Sequence, residues 1–80
     1  METSQTIING LIIPSEWNEN GKILSIAVLT FDEDKFFIAN NAMAQTLMNF
    51  LRKPVTLSGN VTMNGNLKTI NITQFQIHDT

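Results

Sequence analysis

The chain contains no cysteine, which removes disulfides, thiolate nucleophiles and cysteine-based zinc sites together. Charge is also scarce, at 15% of the 80 residues against a usual share of about 25%. The five cations are Lys22, Lys35, Arg52, Lys53 and Lys68, and the net charge is −2. Phosphate-backbone binding draws its affinity from clustered Lys and Arg, so this balance weighs against nucleic acid. The single histidine, His78, lies two residues from the end of the sequence and is expected to be frayed and solvated. No hydroxyl nucleophile with an adjacent base is visible, so an enzyme is not expected. The four glycines are dispersed at positions 10, 21, 59 and 65 and make no phosphate-cradling loop. Asp32, Glu33 and Asp34 lack the spacing of a calcium loop and read as a solvated hairpin turn. Neither a metal nor a cofactor is expected. No apolar run approaches a membrane span, and Met1 to Thr6 shows no cationic region followed by an apolar one; a cytoplasmic location without membrane association is the expectation.

The residues that are present alternate. Length allows one domain, with residues 1–5 expected to fray and residues 6–80 forming a single barrel. Residues 6–13 are β-branched and apolar around Gly10, where a missing side chain allows a bend. A polar loop is expected at residues 14–21, carrying Trp17 and ending in an Asn20-Gly21 turn. Residues 22–31 form a long second strand, with Leu24, Ile26 and Val28 on one face and Ile23, Ser25, Ala27, Leu29 and Phe31 on the other. Residues 35–39 return as a short third strand, where Phe36 and Phe37 must point oppositely; strand phase permits either to face inward. Val55, Leu57, Val61 and Met63 alternate with polar residues, placing Gly59 at an inward position where strands approach closely. Asn64-Gly65 signals a hairpin into residues 67–77. In that strand the apolar phase slips between Ile72 and Phe75, which requires a bulge near Thr73-Gln74.

One segment reads as helix. Residues 41–51 place Met43, Leu47, Phe50 and Leu51 on one stripe, with Asn40 or Asn41 as the cap, Arg52 and Lys53 favouring the negative end of the dipole, and Pro54 forbidding continuation. A short amphipathic helix between three strands and two suits a plug at one end of a small barrel, with Met43 and Met48 filling core gaps.

This order of elements, with bends in the first and last strands, resembles the OB-fold, a five-stranded Greek-key barrel. It is most similar to small bacterial OB-type modules in which a strand with a glycine leads through a Trp-containing loop to a long second strand: here Gly10, Trp17, Asn20-Gly21 and then residues 22–31. The resemblance implies a ligand or partner face across the second and third strands, involving Trp17, Lys22, Ile23, Ser25, Leu29, Phe31, Phe37 and the turn at residues 64–66. The last loop is shortened and the groove has few cations, so the implied function is a non-enzymatic binding module. Its expected partner is a protein or a second copy of itself, with weak stacking of single-stranded nucleic acid as the alternative. Trp17 is expected to fold over one barrel end as a lid, with a contact role as the rival reading.

Overall fold

A computed structural model describes residues 5–78. The chain forms β1 (Gln5–Trp17), β2 (Ile23–Thr30), β3 (Lys35–Ile38), a helix α1 (Ala42–Leu47) with a 3-10 turn at Met48–Phe50, β4 (Pro54–Asn64) and β5 (Leu67–Ile77). The strands close into a barrel in the order β1-β2-β3-β5-β4, as expected for a five-stranded barrel with one short helix between the third and fourth strands. All neighbours are antiparallel except β3 and β5, which pair in parallel at Phe37–Thr69 and Ile38–Ile70. β1 starts at Gln5, within the stretch expected to fray; residues 1–4 and 79–80 lie outside the described residues.

Alternation decides the interior. Ile8, Ile12, Ile26, Val28, Ile38, Val55, Leu57, Ile70 and Ile72 point inward and are buried, joined by Ala44 and Leu47 from α1. Phe36 packs against this core, so Phe37 is the outward member of the pair. Two glycines permit the closure. At Gly10, which pairs with both Thr30 and Val55, a Cβ would lie 2.3 Å from the Leu29 carbonyl oxygen; at Gly59 it would lie 2.2 Å from that of Asn71. The bulge in β5 falls at Thr73, because Ser58 pairs with Gln74 and Gly59 with Ile72. Its extra residue restores Phe75 and Ile77 to the inward phase.

Asn41 caps α1, its Oδ1 accepting from the Ala44 N–H at 2.9 Å, while its Nδ2 donates to Asn71 Oδ1 at 2.9 Å. One side chain therefore starts the helix and docks it on β5. The helix is shorter than the expected 41–51: after Leu47 the backbone tightens to a 3-10 turn and Leu51 is extended. The next residues must reach β1, where the Arg52 N–H donates to the Ile12 carbonyl at 2.7 Å. Arg52 consequently takes φ 65° and no basic residue occupies the last turn, which corrects the expected dipole contact.

Three strand ends differ from expectation. β1 continues through Pro14 to Trp17, so Trp17 ends a strand rather than sitting within a loop. Proline is tolerated there because the even-numbered residues of β1 face β4, whose ladder ends at the Leu11–Pro54 pair; no partner for the missing N–H remains. The β4–β5 turn is Gly65-Asn66, closed by the Asn64–Leu67 pair, one residue later than the Asn64-Gly65 signal. Gly65 alone has a positive φ, at 66°, the arrangement of a II′-type turn. Met63, expected inside, is exposed because β4 and β5 run past the last β1 partner, Asn60, as a two-stranded arm.

Candidate contact surface

Of the expected contact residues, Leu29 and Phe37 lie on the outer face of β2 and β3 and Trp17 ends β1, while Lys22 and Phe31 flank the two ends of β2; strand register sets out cross-strand rows. At the end near α1, Trp17 is opposite Ile23, and Glu16 is opposite Ser25, whose hydroxyl donates to Glu16 Oε1 at 3.1 Å. Trp17 is 57% exposed, so it is not a lid on the core. Ile23, expected on the open face, is half-buried and packs against the core. Register shifts on either side of Glu16 rotate this end of the ribbon and leave Leu24 exposed instead. The turn beneath is organised by Asn18, whose Oδ1 accepts from the Asn20 and Lys22 N–H groups, both at 2.9 Å. Asn18 was legible as a polar loop residue, but its role depends on the turn that encloses it.

The middle row is apolar. Ala27 lies between Ile13 and Phe37 in the outward phase of the sheet, yet it is fully buried. Lys35 Nζ sits 4.9 Å from the centre of the Phe37 ring. The next row is Leu11, Leu29 and Lys35.

At the other end Phe31 is 66% exposed in the turn after β2. Across from it Ile7 is 68% exposed on β1. The two line a cleft of about 420 Å³ that also touches Ile8, Asn9, Asp34 and Phe36. Ile7 was not among the expected residues; the signal for it is the Ile7-Ile8 pair, since adjacent strand residues point to opposite faces. The turn forming the cleft's far wall is closed by Thr30, whose N–H donates to the Asp34 carbonyl at 2.7 Å and whose Oγ1 accepts from the Asp34 N–H at 2.9 Å. Lys68 of β5 ties this turn down, pairing with Asp34 Oδ2 and lying 5.0 Å from the Phe36 ring centre. The hydrogen bond from Lys68, with its charge, holds the Asp34 carboxyl below its usual pKa.

Trp17 and Phe31 do not share one compact patch. Eight residues of β2 and its extension separate their rows, roughly 25 Å at strand rise. The turn at residues 64–66 belongs to the projecting arm, where Met63 and Leu67 are exposed.

A second groove, about 310 Å³, lies along β4 and β5 and is lined by Thr56, Ser58, Gln74, Phe75 and Gln76. Beside it His78 is held rather than frayed: its N–H donates to the Pro54 carbonyl at 2.9 Å, and its Nε2 is 2.6 Å from Thr56 Oγ1. The Thr56 hydroxyl donates its proton to Asn9 Oδ1 at 2.6 Å. Whether His78 Nε2 donates to the Thr56 hydroxyl or accepts from it is set by the tautomer of the ring.

No protein-family model matches the chain, and comparison with curated proteins and with solved structures gives no significant match. Among the described residues no helix is long and apolar enough to cross a membrane.

Proposed function

We propose that this chain is a non-enzymatic, OB-like binding module that contacts a protein partner, or a second copy of itself, through the outer side of β1, β2 and β3. The observation that carries the reading is the burial of Ala27 in the outward phase of the sheet, in a row between Ile13 and Phe37. A solvated sheet face carries polar residues in such a row; here an apolar stripe continues through Leu11 and Leu29 to Phe31. An apolar centre with charge at the margin, at Lys22, Lys35 and Asp32, matches the composition of protein interfaces.

Leu29→Asp and Phe31→Asp test it. Both side chains are exposed, so the fold should survive, and partner binding or self-association should be lost. Unchanged association in both variants would remove this face from consideration.

A second reading is supported by the aromatic side chains on the same side, Trp17, Phe31 and Phe37, with Lys35 against the Phe37 ring. These features suit weak stacking of a single-stranded oligonucleotide. It predicts quenching of Trp17 fluorescence by mixed-sequence oligonucleotide at low salt, with a small salt slope because few cations are near.

A further inference from the structure

Three of the four glycines follow an asparagine, at Asn9-Gly10, Asn20-Gly21 and Asn64-Gly65. In such a pair no side chain shields the glycine nitrogen, which can close a five-membered ring on the asparagine Cγ wherever its N–H is free and the backbone can turn. As sequence the three pairs are equivalent; their surroundings in the barrel are not.

Asn9-Gly10 is locked. Gly10 is buried within β1, paired with both Thr30 and Val55, and Asn9 Oδ1 accepts from the Thr56 hydroxyl at 2.6 Å. Asn20-Gly21 is exposed but tied. The Gly21 N–H donates to the Asn18 carbonyl at 3.0 Å, the Asn20 N–H to Asn18 Oδ1 at 2.9 Å, and the Asn18 N–H closes the loop on the Lys22 carbonyl at 2.9 Å. Attack there requires the Gly21 nitrogen to give up a proton that this turn holds, so the turn must first open. Asn64-Gly65 has neither restraint. Gly65 lies in the turn after β4, and among the described residues its N–H has no hydrogen-bond acceptor. Residues 62–67 are all exposed. Asn64 does pair with Leu67, but as the last rung of the arm. Among the described residues β1 last reaches β4 at Asn60 and β3 last reaches β5 at Thr69, while Lys68 is tied to Asp34. The rung beyond Lys68 is supported by its partner strand alone, and a two-stranded end of that kind opens at little cost.

We propose that Asn64 is a site of spontaneous modification, converting to aspartate and isoaspartate through a succinimide while Asn9 and Asn20 persist. The Gly65 nitrogen loses its proton to base and bonds to Asn64 Cγ. The Cγ–Nδ2 bond breaks, and the amide nitrogen takes a proton from solvent and leaves as ammonia. Water then opens the ring: attack at Cγ gives aspartate, and attack at the main-chain carbonyl gives isoaspartate. Nothing is oxidised or reduced. Either product adds a negative charge to a chain of net charge −2. Isoaspartate also inserts a carbon into the backbone, so the rung to Leu67 no longer forms in register. The arm that carries the exposed Met63 and Leu67 is therefore the part of the barrel that changes with age.

The test is incubation of the full chain in warm, mildly alkaline buffer, with peptide mapping by mass spectrometry to score amide-to-acid conversion at each asparagine. A second sample is held in urea. Unfolded, the three pairs should convert at similar rates, because the glycine that follows is common to all. In the folded chain Asn64 should convert about tenfold or more faster than Asn20, and Asn9 should convert only as fast as the barrel unfolds. Gly65→Ala places a methyl group beside the attacking nitrogen and should slow the step at Asn64 several-fold. Equal rates at Asn64 and Asn20 in the folded chain overturn the proposal, as does an Asn64 that lasts as long as Asn9. An unchanged rate in Gly65→Ala overturns it too, since the route would then bypass the Gly65 nitrogen. If Gly65→Ala does not fold, the unmodified chain decides: a folded rate at Asn64 close to the rate in urea supports the proposal, and suppression by more than about tenfold removes it.

Discussion

Gly10 and Leu29 approach so closely that a Cβ on the glycine would sit 2.3 Å from the leucine carbonyl oxygen. The obstacle is backbone, so no rotamer change relieves it. Gly10→Ala is expected to destabilise the barrel by about 1–3 kcal/mol or more, and Gly59→Ala, blocked by Asn71 at 2.2 Å, by a similar amount. Gly21→Ala and Gly65→Ala meet open space and carry only the strain of their positive φ, roughly 1 kcal/mol. Urea denaturation of the four variants checks the order; equal losses across the set would contradict it.

Arg52 adopts φ 65° to pass from the 3-10 turn to β4. Arg52→Gly should stabilise by up to about 1 kcal/mol, because relief of the left-handed strain exceeds the added chain entropy. Arg52→Val should cost roughly 1 kcal/mol or more, since a β-branched residue is least tolerant of that region. Thermal unfolding of the two variants should move in opposite directions.

Asn41 serves two elements at once, through the Ala44 N–H and Asn71. Asn41→Ala is expected to cost about 1–2 kcal/mol. Asn41→Ser retains a capping oxygen but loses the contact to β5, so its stability should fall between the other two. A serine variant as unstable as alanine would mean that docking, not capping, dominates.

Asp34 titrates below its usual value of 3.8 because Lys68 donates to its carboxylate. A depressed folded-state pKa contributes stability above the unfolded value, and that contribution disappears as pH falls through the folded value. Lys68→Met should return the Asp34 titration, followed by carboxyl NMR, towards 3.8. It should also flatten stability against pH in the acid range below that value. Added salt should weaken the effect in the unmodified chain, since both groups are partly exposed.

The buried packing of the helix gives a further expectation. Leu47 is fully buried within the core formed by all five strands. Leu47→Ala should cost about 2–5 kcal/mol, while Met43→Ala, on a half-buried side chain of the same helix, should cost less. Denaturant midpoints compare them directly.

Much of the architecture was legible in local pattern. Alternation at residues 55–61 named the inward face of β4, and the phase slip between Ile72 and Phe75 located the bulge at Thr73. Asn41 was readable as a cap, and Gly59 as a place of close approach. These features depend on spacings of a few residues, where the two-residue period of a strand and the reach of a capping side chain act directly. Extents of pairing were less accessible. Trp17 read as a loop residue because Pro14 looked like a break, and Met63 read as core because its phase was right.

Of the contact residues, Phe37 had its outward place decided only by the packing of Phe36 on the core, whereas Leu29 and Phe31 were readable from strand phase as one side of a sheet. Their distance from Trp17, the return of Ile23 to the core and the meeting of Ile7 with Phe31 were not. Each depends on where one ladder ends and the next takes over, which is set when β1 is shared between β2 and β4 at Gly10 and the barrel closes. Residue order specifies which side chains alternate; closure over long sequence separations selects which of those alternating positions are covered and which are left facing solvent.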